Sequence, residues 1–156
     1  MTRSLKIISG GQTGVDRGAL DFAYDNNYPM GGYCPKGRKS ENGKIPEKYP
    51  LTELKSKNYI DRTKENVIAS DGTLIIKDEQ PLRKGSADTI LLCKKYKKPF
   101  YIAEINLQPE SRYRFIHWLE MNNIKVLNVA GNRESQSPGI RQKTFELLSC
   151  LFKSYT

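Results

Sequence analysis

The chain has 156 residues, one domain's worth, and its hydrophobic fraction of 37% with 10% aromatics can furnish one core. That composition excludes disulfide-scaffold, collagen-like and disordered classes, and the longest apolar runs, such as Thr89–Cys93, fall far short of the roughly 20 residues that span a bilayer. The net charge of +9, from 26 Lys+Arg against 17 Asp+Glu, favours anionic partners without selecting one.

Strand and helix signals alternate along the chain. Met1–Ile8 contains no signal-peptide core, so a soluble, cytoplasmic, non-membrane protein is expected. Leu5–Ser9 reads as a strand closed by Gly10-Gly11. Val15, Ala19, Phe22 and Ala23 recur at helical spacing as far as the stop signal Asn26-Asn27. Gly31–Cys34 reads as a short strand. Residues 35–62, rich in Pro, Gly, Lys and Asn, read as a long surface loop. A two-turn helix is expected over Thr63–Ala69, and a strand over Gly72–Ile76. Ala87, Ile90 and Leu91 mark a helix that ends in the lysine run Lys94–Lys98. A strand over Pro99–Ala103, a helix at about Glu110–Asn122 and a strand over Lys125–Val129 follow. Ser137-Pro138 reads as an N-cap with proline at the first helical position, and Ile140, Thr144, Leu147, Leu148 and Leu151 share a face of the last helix.

Five or more short apolar strands separated by helices predict a Rossmann-like three-layer α/β sandwich, with a mostly parallel sheet covered on both faces. Residues 1–156 are expected to form a single domain. Ligands of such sheets sit outside the carboxyl ends of the strands, which draws attention to the loops there.

The segment Ser9–Arg17 places Gly10, Gly11 and Gly14 between a strand and a helix. Backbone amides of such a loop approach phosphate closely, and the helix start favours negative charge. Its spacing is neither a dinucleotide fingerprint nor a Walker A loop. Gln12 lies in this loop. Thr13 and Asp16 have capping-box spacing, Asp16 alternatively binds a sugar hydroxyl, and Arg17 is a candidate anion contact. Gly131, Arg133, Glu134 and Ser135 follow the last strand, and Arg133 can form a bidentate fork to phosphate. Asp71, Gly72 and Thr73 form a third candidate together with Lys84, Gly85 and Ser86. Lys36 and Arg38 read as a mobile loop closing over an anion, backed by Arg62, Thr63 and Asn66. Cys34 reads as packing there, with a lowered-pKa nucleophile as the alternative. The three cysteines, Cys34, Cys93 and Cys150, lack C-x-x-C spacing. His117 falls on the polar side of its helix, so no metal site is expected.

The segments Gly10–Arg17, Gly31–Arg38, Arg62-Thr63 with Asn66-Val67, Ser70–Ile75 and Asn128–Ile140 occur in one order that resembles a known family. It is that of the putative molybdenum carriers, the circularly permuted YpsA-like branch of the SLOG superfamily. The resemblance implies a Rossmann-like domain whose relatives bind nucleotides or nucleotide-derived ligands. It also implies that the family's usual first strand comes last here, over Lys125–Val129, and returns Gly131 and Arg133 to the ligand site. Lys84-Gly85-Ser86 stands where the family commonly has Gly-Gly-Thr, and Asn132 replaces a common proline. The catalytic glutamate segment of related phosphoribohydrolases is absent, leaving Asp88 or Glu65 to substitute.

The preferred reading is therefore a binder of a phosphate-bearing, nucleotide-like anionic small molecule, with molybdenum cofactor as one candidate. The alternatives are an N-glycosidic hydrolase of nucleoside monophosphates, with Asp71 or Asp88 as acid, and a nucleic-acid binder. A homo-oligomer is expected from the prevalence of twofold symmetry alone.

Overall fold

The computed structural model describes residues 4–106 and 108–153, so the expected start at Met1–Arg3 lies outside them. In chain order the elements are β1 (Lys6–Ile8), α1 (Val15–Asp25), β2 (Met30–Gly31), β3 (Tyr33–Cys34), a 3-10 turn (Lys36–Arg38), β4 (Lys39–Ser40) and β5 (Gly43–Lys44). There follow β6 (Thr52–Glu53), α2 (Tyr59–Ala69), β7 (Gly72–Lys77), α3 (Lys84–Lys95), β8 (Phe100–Glu104), α4 (Pro109–Met121), β9 (Val126–Gly131) and α5 (Ile140–Leu151).

Five strands form a parallel sheet in the order β2-β1-β9-β7-β8. The last strand lies in the middle, with Leu127 opposite Ile7 and Val129 opposite Leu74. Counted from β9 instead of the amino terminus, the order becomes the doubly wound 3-2-1-4-5. The apolar run Leu74-Ile75-Ile76 is fully enclosed in β7, as a strand covered on both faces requires. Helices α1, α4 and α5 cover one face, and α2 with α3 the other. Phe22, Phe115, Leu148 and Phe152 pack on Leu74, Ile76, Leu127 and Val129 on the first face, which carries the main core.

The second face is different. Helix α3 buries Ser86, Thr89 and Cys93, while Leu91, expected on its inner side, is 63% exposed. The polar stripe faces inward because the start of α3 overhangs the carboxyl edge of the sheet, where there is a cavity instead of hydrocarbon. Helix α2 begins a full turn before the expected Thr63. Ser137 does not cap α5, which starts after Gly139 in the left-handed region (φ 86°). Its hydroxyl instead donates to Asp78 (3.0 Å).

Residues 35–53 are not the open loop that their composition suggests. Within them β4 pairs with β5, and β6 pairs with the preceding β3, over a small core of Leu20, Cys34, Ile45 and Tyr49. One guanidinium organises the segment: Arg38 donates to the carbonyls of Ile45 (3.0 Å), Pro46 (2.8 Å) and Tyr49 (2.8 Å). Arg38 is therefore a structural residue, spent on its own chain. Lys36 is exposed, and its amide is bonded to the Ser56 carbonyl. Replacing Arg38 by Ala removes three hydrogen bonds from a charged donor and is expected to lower the unfolding free energy by about 3 kcal/mol in urea titration. An unchanged midpoint would show that the segment holds its shape without Arg38.

Candidate functional site

The loop after β1 turns sharply at Gly11 (φ 73°) and Gly14 (φ 82°), backbone angles that favour glycine. It is fixed from inside by Asp16 in the first turn of α1. The Asp16 Oδ2 accepts the Gln12 amide (3.2 Å) and lies 3.5 Å from the Arg62 guanidinium of α2. Arg62 also donates to the Gly10 carbonyl (3.2 Å), and a Cβ on Gly10 would fall 2.3 Å from its side chain. Burial pushes the Asp16 carboxyl above its ordinary range, against the pull of Arg62 and of the Gln12 amide. Asp16 thus spends one oxygen on its own loop, and no side chain caps α1. Arg17 is also turned to structure, donating to the Gly11 carbonyl (3.1 Å) and Ser40 Oγ (2.9 Å).

Above the carboxyl ends of β1, β9 and β7 lies a cavity of about 340 Å³. Gly10, Gln12 and Asp16 form one side, and Lys84, Gly85, Ser86, Asp88 and Thr89 the other. Asn128–Gly131 form the base, and α2 adds Tyr59, Ile60, Arg62, Thr63 and Asn66. Tyr59, Arg62, Thr63 and Asn66 stand at i, i+3, i+4 and i+7, one helical face. The Tyr59 ring lies 4.7 Å from the Arg133 guanidinium and 5.4 Å from that of Arg62, within cation–π range.

The polar groups of this cavity divide into spent and free. Asn66 accepts the Tyr33 amide and donates to the Tyr33 carbonyl, acting as a strand partner for β3. Asn128 donates to Thr73 Oγ. Lys84 pairs with Asp88 at 2.7 Å. The Arg133 guanidinium, by contrast, makes no hydrogen bond or ion pair among the described residues. Two buried polar atoms, Gln12 Nε2 and Ser86 Oγ, also lack a partner. No side chain caps α3, so its first amides open beside Ser86. A Cβ on Gly85 would meet nothing within 4 Å.

Other candidates lie elsewhere. Asp71 sits at the amino end of β7, the opposite edge of the sheet, where its carboxylate accepts the amides of Lys125 (2.9 Å) and Val126 (2.8 Å). Gly72 is glycine because a Cβ would fall 2.6 Å from Ile124, and Thr73 is buried in the sheet. The acid role considered for Asp71 is therefore out of reach of the cavity. Glu134 accepts the amides of Gly139 and Arg141 at the start of α5. Ser135 donates its amide (3.2 Å) and hydroxyl (2.6 Å) to Glu41, which also accepts the Thr13 hydroxyl. Cys34 is buried, which pushes its thiol up and leaves it a packing residue. No group of three His, Cys, Asp or Glu among the described residues is placed to hold a metal, and His117 is exposed.

Tyr59, Thr89 and Gln136 were not legible as site residues. Tyr59 lay in the presumed loop, yet extending the Arg62–Asn66 stripe back by one helical turn reaches it. Thr89 is one turn beyond Gly85 and Ser86 on α3. Gln136 had no signal beyond its nearness to Arg133.

Fold and cavity together define a Rossmann-like, doubly wound α/β protein with its cavity where strand order reverses. The chain belongs to the circularly permutated YpsA SLOG family, whose model matches residues 7–152. Its last strand, central in the sheet, is the structural form of that permutation. It is similar to a crystal structure from Syntrophus aciditrophicus SB named "putative molybdenum carrier protein", with 44% identity, 97% of each chain covered and a TM-score of 0.88. No curated protein matches the chain. Among the described residues no helix is long and apolar enough to cross a membrane.

The Glu41 latch carries a pH signature. Burial raises its carboxyl, but hydrogen bonds from Ser135 and Thr13 outweigh this and hold it below its ordinary value of 4.5. A depressed folded pKa stabilises the protein above the unfolded pKa and is lost as pH falls through the folded one. The difference in urea midpoint between wild type and Glu41→Gln should favour wild type at pH 7 and shrink toward pH 3. A difference that does not change with pH would mean that the latch is not ionic.

Proposed function

We propose that this chain binds a phosphate-bearing, nucleotide-like small molecule in the cavity above β1, β9 and β7. The observation that carries the reading is the Arg133 guanidinium, without a hydrogen bond or ion pair among the described residues, at a cavity lined also by Ser86, whose hydroxyl lacks a partner there, and by the uncapped start of α3. A helix start, a hydroxyl and a guanidinium are the donors that phosphate recruits. The lining residues contribute three cations (Arg62, Lys84, Arg133) against two carboxylates (Asp16, Asp88), an excess of one positive charge. The Tyr59 ring, with the guanidinium groups of Arg133 and Arg62 against it, adds an aromatic side chain to the wall. About 340 Å³ is within the usual range for small-molecule sites.

The name of the structural relative points to molybdenum cargo. The amide, hydroxyl and guanidinium donors here suit the phosphate and the ring of a pterin cofactor, and they suit a purine nucleotide by the same contacts. Of the carboxylates weighed for N-glycosidic hydrolysis, Asp88 remains at the cavity, on the wall opposite Asp16. Release of free base from excess nucleoside monophosphate reads that alternative directly.

A thermal-shift series with AMP, a pterin phosphate, molybdate and inorganic phosphate tests the binding reading. A ligand at 100 times its Kd should stabilise by about 2.7 kcal/mol, roughly 5–10 °C at this chain length. Arg133→Ala should abolish the shift. Gly85→Ala should fold like wild type and bind less, since its methyl group would enter ligand space. A full shift retained in both variants would place the ligand elsewhere.

A further inference from the structure

The side-chain amide nitrogen of Gln12 is buried without a hydrogen-bond partner among the described residues. Its Oε1 accepts two backbone amides, those of Thr13 (3.1 Å) and Glu41 (2.9 Å). Two donors converging on one atom identify that atom as the oxygen, so the amide cannot be flipped without stranding both. Gln12 is 4% exposed and lines the cavity, and its buried Nε2 has no partner among the described residues. A buried, unpaired amide donor costs about 1–3 kcal/mol. The fold nevertheless holds it in place from two directions, through its own loop and through the β4–β5 hairpin.

The surroundings specify what this donor is for. Asp16 lies beside Gln12, 3.5 Å from Arg62, and its carboxyl group makes the immediate surroundings of Gln12 unfavourable for an oxyanion. Ser86 and the start of α3 lie on the far side of β9, two strand spacings from β1, roughly 10 Å. Building on the proposed phosphate site, we infer that Gln12 is a specificity-determining residue that donates from Nε2 to a neutral acceptor at the end of the ligand remote from its phosphate. The ligand class is then a phosphate ester carrying a heterocycle with a ring carbonyl or ring nitrogen at that distance. A compact tetrahedral oxyanion reaches one end only.

The test is calorimetric titration of wild type and Gln12→Glu with four probes: inosine 5'-monophosphate, AMP, ribose 5-phosphate and inorganic phosphate. The Glu side chain keeps the oxygen that Thr13 and Glu41 require and replaces the donor by an acceptor. Affinity for the ring-bearing monophosphates should fall by about 10–100-fold, while ribose 5-phosphate and inorganic phosphate change little. Inosine 5'-monophosphate offers a ring carbonyl and AMP only ring nitrogens, so the probe with the larger loss identifies the acceptor. An unchanged ratio of ring-bearing to ring-free affinities overturns this inference and leaves the phosphate site standing. Failure of wild type to bind any of the four overturns the phosphate site and this inference with it. Should Gln12→Glu not fold, the wild-type affinities decide: ring-bearing probes must bind at least about tenfold tighter than ribose 5-phosphate, and equal affinities overturn the assignment.

Discussion

The buried pair of Asp16 and Arg62 is the constraint on which the site depends. It joins the first turn of α1 to the inner face of α2, elements from opposite sides of the sheet, across the end of β1. Asp16 holds the Gln12 amide and Arg62 holds the Gly10 carbonyl, so the two bonds fix the glycine loop that the pair encloses. A buried charge pair is weak evidence for stability, since desolvation offsets most of the attraction. Its effect here is positional, because it determines where the cavity begins and leaves Arg133 as the neighbouring cation without a carboxylate.

That constraint accounts for the asymmetry of the two helical layers. On the α1, α4 and α5 face, aromatic and aliphatic side chains form the main core. On the other face α2 and α3 present Arg62, Asn66, Ser86 and Thr89 inward, leaving Leu91 outward. An inner stripe of this kind gives up apolar burial that the molecule recovers elsewhere, including the small core under residues 35–53. Strain or unpaired polarity of this sort is expected where a fold departs from its own local rules for function.

The fold was largely readable in the sequence, because alternating strand and helix signals are set by local periodicity. Leu74–Ile76, the Val15–Ala23 stripe and the last helix carry that periodicity openly. The order of strands was not a local property: the family resemblance implied only that the usual first strand comes last in the chain, and its central place is a finding of the structure. Arg17, Arg38 and Asp71 show where the reading of the site ended. Each is a residue type that suits an anion or a ligand hydroxyl, and each is captured by backbone groups of the chain itself. Residue chemistry shows what a side chain can bind, whereas only the fold shows which partner reaches it first. Tyr59 was missed for the converse reason, since polar, Pro- and Lys-rich flanks concealed a helix start. Gln12 and Ser86 were named from their loops, but that their free donors are buried is a fact of packing.

The most direct measurement is a crystal structure of the complex with a purine nucleoside monophosphate. The account requires the phosphate within hydrogen-bond distance of Ser86 Oγ and against the Arg133 guanidinium, with the ring near Tyr59. A phosphate seated instead between Thr13 and Ser135, with Glu41 displaced from those groups, would contradict it. The loops after β1 and β9 would then be the anion site, and the start of α3 only one wall of the cavity.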